Sequence, residues 1–125
     1  MRRLSPVDHE HKPGERDLLA GAYRDFNARR IDAVLARMQP DVDWPNGMEG
    51  GRVLGLDAVR AYWTRQWNQI DPHVEPVKIE CDQAGRWVVE VHQVVRGLEG
   101  KLLADRIVHH AYRFRDGLIE RMDIE

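Results

Sequence analysis

Apolar residues in this chain keep one period before about position 68 and another after position 76. In the first stretch they recur every three or four residues, the spacing that gathers side chains on one face of a helix. In the second they alternate, which sends successive side chains to opposite faces of a strand. A chain that switches once from helical to strand period is expected to fold as α+β, its helices covering one face of a mainly antiparallel sheet. With 125 residues there is room for one domain and one core.

Leu18, Leu19, Ala22, Tyr23 and Phe26 share a helical face, behind acidic Glu15 and Asp17 in the opening turn, where negative charge suits the helix dipole. Ile31, Val34, Leu35 and Met38 predict a second, shorter helix that Pro40 stops. Asp41 to Pro45 reads as a short strand, and Asn46 to Gly55 as loop. A third helix opens near Leu56, carries Val59, Tyr62, Trp63 and Trp67 on one side, and ends before Asp71-Pro72, with His73 in the loop beyond.

The remainder is strand. Val77, Ile79 and Cys81 alternate with Lys78 and Glu80, and Pro76 marks an edge or a bulge. Trp87, Val89, Val91, Gln93 and Val95 form one face of the next strand, leaving Glu90, His92 and Arg96 outside. Leu102 to Arg115 is a long strand with Val108, His110, Tyr112 and Phe114 together, and Asp116-Gly117 signals a tight hairpin into Leu118 to Ile124. Residues 1–14 are polar and without period, so they read as a flexible N-terminal arm before a domain over residues 15–125. His9-Glu10-His11 in that arm make a poor preformed metal site.

Several function classes drop out. The formal net charge is -2, and sixteen of the 19 cationic residues are arginines scattered along the chain, so no basic excess draws nucleic acid or anionic lipid. No apolar run reaches the roughly 18 residues of a membrane span, and the N-terminus lacks a signal-peptide stretch. The single cysteine, Cys81, fits a reducing compartment, so a cytoplasmic location is expected. There is no phosphate-cradling glycine loop, HExxH or GxSxG. His109 and His110 point to opposite strand faces and cannot chelate one ion. Neither a cofactor nor a metal is expected.

Three segments carry a family resemblance: the two-helix opening LLAGAYRDFNARRIDAVLARM running into VDWP, the loop and helix GRVLGLDAVRAYW, and the strand-turn-strand HHAYRFRDGLIERMDI. In that order and spacing the chain resembles the nuclear transport factor 2-like (SnoaL-like) superfamily over roughly residues 15 to 125. The resemblance implies a cone-shaped α+β barrel, N-terminal helices packed on a strongly curved sheet, with a ligand entering between them. It also implies a homodimer joined through the outer sheet face. The scaffold hosts isomerases, cyclases, dehydratases, hydrolases and plain binding modules, so fold alone does not assign a reaction.

Ketosteroid isomerase, a member of that superfamily, sets an Asp base against an oxyanion hole of Tyr and protonated Asp. By resemblance its base position falls here on Trp44, in Val42-Asp43-Trp44-Pro45, and an indole cannot abstract a proton. Asp43, one residue away, faces the opposite side. The oxyanion-acid position falls on His110. With an ordinary pKa of about 6.5, His110 can serve as acid or base, and Tyr112 on the same face can present a second polar group. The alternative is a buried, hydrogen-bonded histidine with Tyr112 as core.

Asp105 is a third catalytic candidate if a bulge turns it inward; otherwise it belongs to a surface ion pair. Trp44, Trp63 and Trp67 either line a site for a flat ligand or fill the core. Gln93, a polar break in an aliphatic face, is a candidate to orient ligand or water, and Phe114 and Met122 are candidate apolar wall. Three functional readings follow. The first is a small apolar ligand processed by cofactor-free isomerisation, cyclisation or dehydration. The second is a non-catalytic binding or dimerisation module. The third is hydrolysis of a small epoxide, which needs Asp105 beside Gln93.

Overall fold

The computed structural model describes residues 13–125. Helices α1 (Pro13–Asn27), α2 (Ile31–Leu35) and α3 (Leu56–Trp67) accompany strands β1 (Met38–Pro45), β2 (Arg52–Leu54), β3 (Ile70–Cys81), β4 (Trp87–Gly97), β5 (Leu102–Arg115) and β6 (Leu118–Ile124). One sheet holds all six strands in the order β2-β1-β6-β5-β4-β3. Neighbours are antiparallel except β1 and β6, which run parallel. Register shifts at Met38/Asp43, Pro76/Lys78, Val95/Arg96 and Arg113/Phe114 bend the strands and raise their twist, so the sheet curls into a cone without closing. The helices cover its concave side. Leu19 of α1, Val59 of α3, Val42 of β1, Val89 and Val91 of β4 and Ile119 of β6 are sealed from solvent and form the centre of the core.

Four local expectations are corrected. The second helix ends at Leu35, and Met38 to Pro40 begin β1 instead. There Met38 pairs with Ile119, and the Ile119 N–H donates to the Arg37 carbonyl at 2.8 Å. Pro40 is tolerated because β2 covers only Asp43 to Pro45, so the first half of β1 is an edge where a missing N–H breaks no ladder bond. The Asn46–Gly55 loop contains the short strand β2.

The third correction concerns β3, which starts at Ile70 and takes in Pro72 and His73, the latter paired with Glu75 at 3.2 Å. β3 is the other edge of the sheet, which accommodates both its prolines, and the bulge after Pro76 turns Val77 outward, 57% exposed. The fourth is the start of α1. It begins at Pro13, inside the segment read as an arm, since the first helical turn needs no N–H from proline. The rest of that arm, with His9-Glu10-His11, lies outside the described residues. No helix among the described residues is long and apolar enough to cross a membrane.

Candidate functional site

Between the concave sheet face and the helices lies a cavity of about 480 Å³, within the range that accommodates a drug-sized ligand. Strand alternation aims Trp44 of β1, Val74 of β3 and Gln93 and Val95 of β4 into it, and the β5–β6 register shift lets Ile119 and Met122 of β6, on either side of it, both face inward. β5 supplies Arg106, Val108, His110 and Tyr112 from every second position. Tyr23 and Phe26 enter from α1, and Tyr62, Trp63 and Gln66 from α3. None of the described residues lining the cavity is an aspartate or glutamate.

Three polar side chains meet in this apolar wall. The Tyr23 hydroxyl lies 2.8 Å from His110 Nδ1 and 2.7 Å from the Tyr112 hydroxyl. A phenol has one proton to donate, so the chain runs in one of two senses. Either Tyr112 donates to Tyr23 and Tyr23 to Nδ1, or Nδ1–H donates to Tyr23 and Tyr23 to Tyr112. The first leaves Nε2–H as the free donor. The second leaves Nε2 as a free acceptor and the Tyr112 O–H as the free donor. Nε2 has no partner among the described residues, yet the one partnerless buried side-chain nitrogen or oxygen among them is Trp67 Nε1. Nε2 is therefore open to the cavity that His110 lines.

Burial governs the charge of all three. It pushes His110 down to about 4, with His109 acting in the same direction, so the imidazole is neutral at pH 7. Burial raises Tyr112 despite its hydrogen bond with Tyr23, and raises Tyr23 with Tyr112 adding to the effect. Both phenols are neutral hydrogen-bonding groups. Trp44 packs edge-on against Trp63 at 5.6 Å and leans on Tyr112 at 6.2 Å, which braces the phenol from the side.

Of the residues singled out from sequence, the structure brings His110, Tyr112, Trp44, Trp63, Gln93 and Met122 together on the cavity wall. Three others are elsewhere. Asp105 is on the outer face, bonded to His92 Nε2 at 2.6 Å, because the bulge that would have turned it inward lies closer to Arg96 and does not reverse its side. Asp105 and Gln93 accordingly form no carboxylate–amide pair. Trp67 sits behind the cavity, between Phe26 and Trp63 and under the Arg29 guanidinium at 5.0 Å. Phe114 follows the Arg113/Phe114 irregularity and packs half-buried on the core, outside the cavity lining.

Tyr23, Tyr62 and Arg106 were missed as site residues. For Arg106 the signal was present, since it lies two residues before Val108 on the same alternating face. Tyr62, whose oxygen accepts from the Gly47 N–H at 3.0 Å and from Gln66 Nε2 at 3.2 Å, was read only as part of a helix face. Among the described residues no group of three or more His, Cys, Asp or Glu side chains is placed to hold a metal.

A curved sheet capped by helices over a hollow lined with aromatic side chains is the architecture of a pocket domain of the nuclear transport factor 2-like superfamily. Within it, the chain belongs to the SnoaL-like domain family, whose profile matches residues 19–122. Domains of this family bind small ligands. Among solved structures, TerC, co-crystallised with polyporic acid, is 27% identical, with 89% of each chain covered and a TM-score of 0.77. A nuclear transport factor 2-like protein from Burkholderia pseudomallei K96243 is 26% identical, covering 89% of this chain and 88% of its own, with a TM-score of 0.78. SalBIII, an epoxide hydrolase/cyclase-like enzyme in pyran ring formation of the polyether salinomycin, shares the fold at 14% identity, 92% coverage of both chains and a TM-score of 0.77. Among curated proteins none matches the chain.

Proposed function

We propose that the protein binds a small, mostly apolar, ring-bearing molecule in the cavity and catalyses proton transfer on it without a cofactor, as in isomerisation, cyclisation or dehydration. The observation that carries this reading is the continuous Tyr112–Tyr23–His110 hydrogen-bond chain set in an otherwise apolar wall. His110 Nε2 takes a proton from a C–H beside a ligand carbonyl, while Tyr112 gives its proton to the carbonyl oxygen. The Nδ1 proton passes to Tyr23 and the Tyr23 proton to Tyr112, so a neutral enol forms and no group keeps a charge. That balance suits a site in which burial makes an imidazolium unfavourable. Trp44 and Trp63 supply flat walls against which a ring stacks. The 27% identical TerC, crystallised with polyporic acid, supports a ligand of ring-bearing type and supplies a first probe.

Titration with polyporic acid and a panel of flat polycyclic ketones should quench tryptophan fluorescence, since two of the indoles line the cavity. For bound ketones, NMR in deuterated water should show exchange of the C–H beside the carbonyl. His110→Ala should bind the ketone and lose the exchange. Exchange that persists in His110→Ala rejects the catalytic role of His110, and a panel in which nothing binds rejects the ligand-binding reading.

A second reading, a non-catalytic binding module, is favoured by the absence of carboxylates from the described cavity lining and by Trp44 at the isomerase base position. It predicts quenching without exchange in the unmodified protein. A homodimer through the outer face of β4 and β5 belongs to both readings, supported by Leu103 and Ile107 standing 53% and 52% exposed there. A cytoplasmic location is consistent with either.

A further inference from the structure

Arg106 is the one charged residue among those described that line the cavity. It stands at the open end of the sheet, beyond the last pairing of β5 with β6 at His110–Ile124, and is itself exposed. Its only side-chain hydrogen bond among the described residues runs from Nε to Gln93 Oε1 at 3.0 Å, across the β4–β5 ladder where the two residues face one another.

This contact fixes the orientation of both groups. Arginine has no acceptor, so the Gln93 atom facing it must be the oxygen, and the Gln93 amide nitrogen is left with its two protons unclaimed. The guanidinium, held at Nε, keeps its two terminal nitrogens free and its plane set. No carboxylate among the described residues forms an ion pair with it. Asp105, next to it in the chain, is on the outer face and bonded to His92 Nε2 at 2.6 Å. Among the described residues, the cavity mouth thus carries one positive charge without a carboxylate partner, and the terminal guanidinium and Gln93 amide donors are claimed by no protein acceptor.

We infer that Arg106 and Gln93 bind an anionic, carboxylate-type group of a ligand whose apolar body lies in the cavity. The inference rests on the ligand-binding reading above and names the chemical class of its ligand. Arg106 and His110 are four positions apart on one strand face, roughly 13 Å between backbones at about 3.3 Å per residue. A ligand anchored at the mouth therefore needs a body of two or three linked or fused rings for its far end to meet the His110–Tyr112 pair. The terminal guanidinium nitrogens match the two oxygens of a carboxylate in a fork that an ammonium does not reproduce.

The test compares biphenyl-4-carboxylate with biphenyl-4-carboxamide, a pair of like shape differing in charge, by calorimetry and tryptophan quenching. In the unmodified protein the carboxylate should bind about fivefold to tenfold more tightly, a margin expected for a charge-assisted pair at an exposed rim. That margin should shrink as salt rises. Arg106→Gln should remove the preference, chiefly by weakening binding of the carboxylate, and an unaltered circular dichroism spectrum and unfolding midpoint report that the variant is folded. Arg106→Lys should keep part of it. Equal binding of both compounds, or a preference that survives Arg106→Gln, overturns the anionic anchor and leaves the apolar pocket intact. Failure of both compounds to bind overturns the pocket reading, and the anchor with it.

Discussion

Burial disfavours the charged form of His110, and His109 beside it on the chain acts in the same direction. Its folded pKa of about 4 lies below the unfolded value of about 6.5, so between those values the unfolded chain holds more protons. The stability contributed by keeping it neutral is full above about pH 6.5 and is lost as pH falls to about 4, an effect on the order of 3 kcal/mol. Urea midpoints at pH 7 and pH 5 should therefore diverge, and His110→Gln should narrow the gap. Trp67 presents the opposite case, a side chain whose Nε1 is buried without a partner while its ring packs on Phe26 and Trp63. Trp67→Phe removes that orphaned donor and keeps most of the aromatic contact, so its unfolding free energy should stay within about 1 kcal/mol of the parent. The inward aim of His110 and Tyr112 was legible from alternation alone. The Tyr23 hydroxyl between them was not, because helical spacing tells which face is buried and not which atom it meets 87 residues later in the chain.

At the scale of elements, local chemistry was a good guide wherever the backbone demanded it. Asp116 and Gly117 both sit at positive φ, 52° and 81°, as the two-residue hairpin between β5 and β6 requires. Gly117→Ala forces a Cβ into that left-handed region and should lower stability by about 1 to 2 kcal/mol, measurable as a fall in Tm. Gly55, at φ 90° before α3, is another such position, and its N–H donates to the Val42 carbonyl at 2.8 Å. Local chemistry misled where pairing decided the outcome. Met38 fits a helical stripe, yet its partner is Ile119 in β6, and a strand neighbour from the far end of the chain outweighs a few tenths of a kcal/mol of helix propensity. Pro40 and Pro72 looked like helix terminators and were accommodated in β1 and β3 because each lies on an unpaired strand edge, whereas Pro76, read as an edge or a bulge, adjoins the bulge of β3.

Over the whole molecule, the parallel pairing of β1 with β6 ties the first strand to the last, so the cone is complete only when the chain end is in place. Deleting residues 118–125 removes Ile119 and Met122 from core and cavity and strips β1 and β5 of a neighbour; loss of a cooperative unfolding transition is the expected result. For the proposed dimer, Ile107→Asp places a charge on the outer face and should shift the protein to a smaller size in sedimentation analysis, with ligand binding unchanged. By itself the amino-acid order determined the class of fold, the inward side of β4 and of β5 from Val108 to Tyr112, and the turn at Asp116-Gly117, because these depend on period and backbone conformation within a few residues. Tertiary structure alone decided that Tyr23 links His110 to Tyr112, that Asp105 is outside, that Trp67 and Phe114 miss the hollow, and that Arg106 meets Gln93 and no carboxylate among the described residues. Each of those outcomes depends on a bulge, a crossing helix or a distant strand, and none of these is encoded in the spacing of nearby residues.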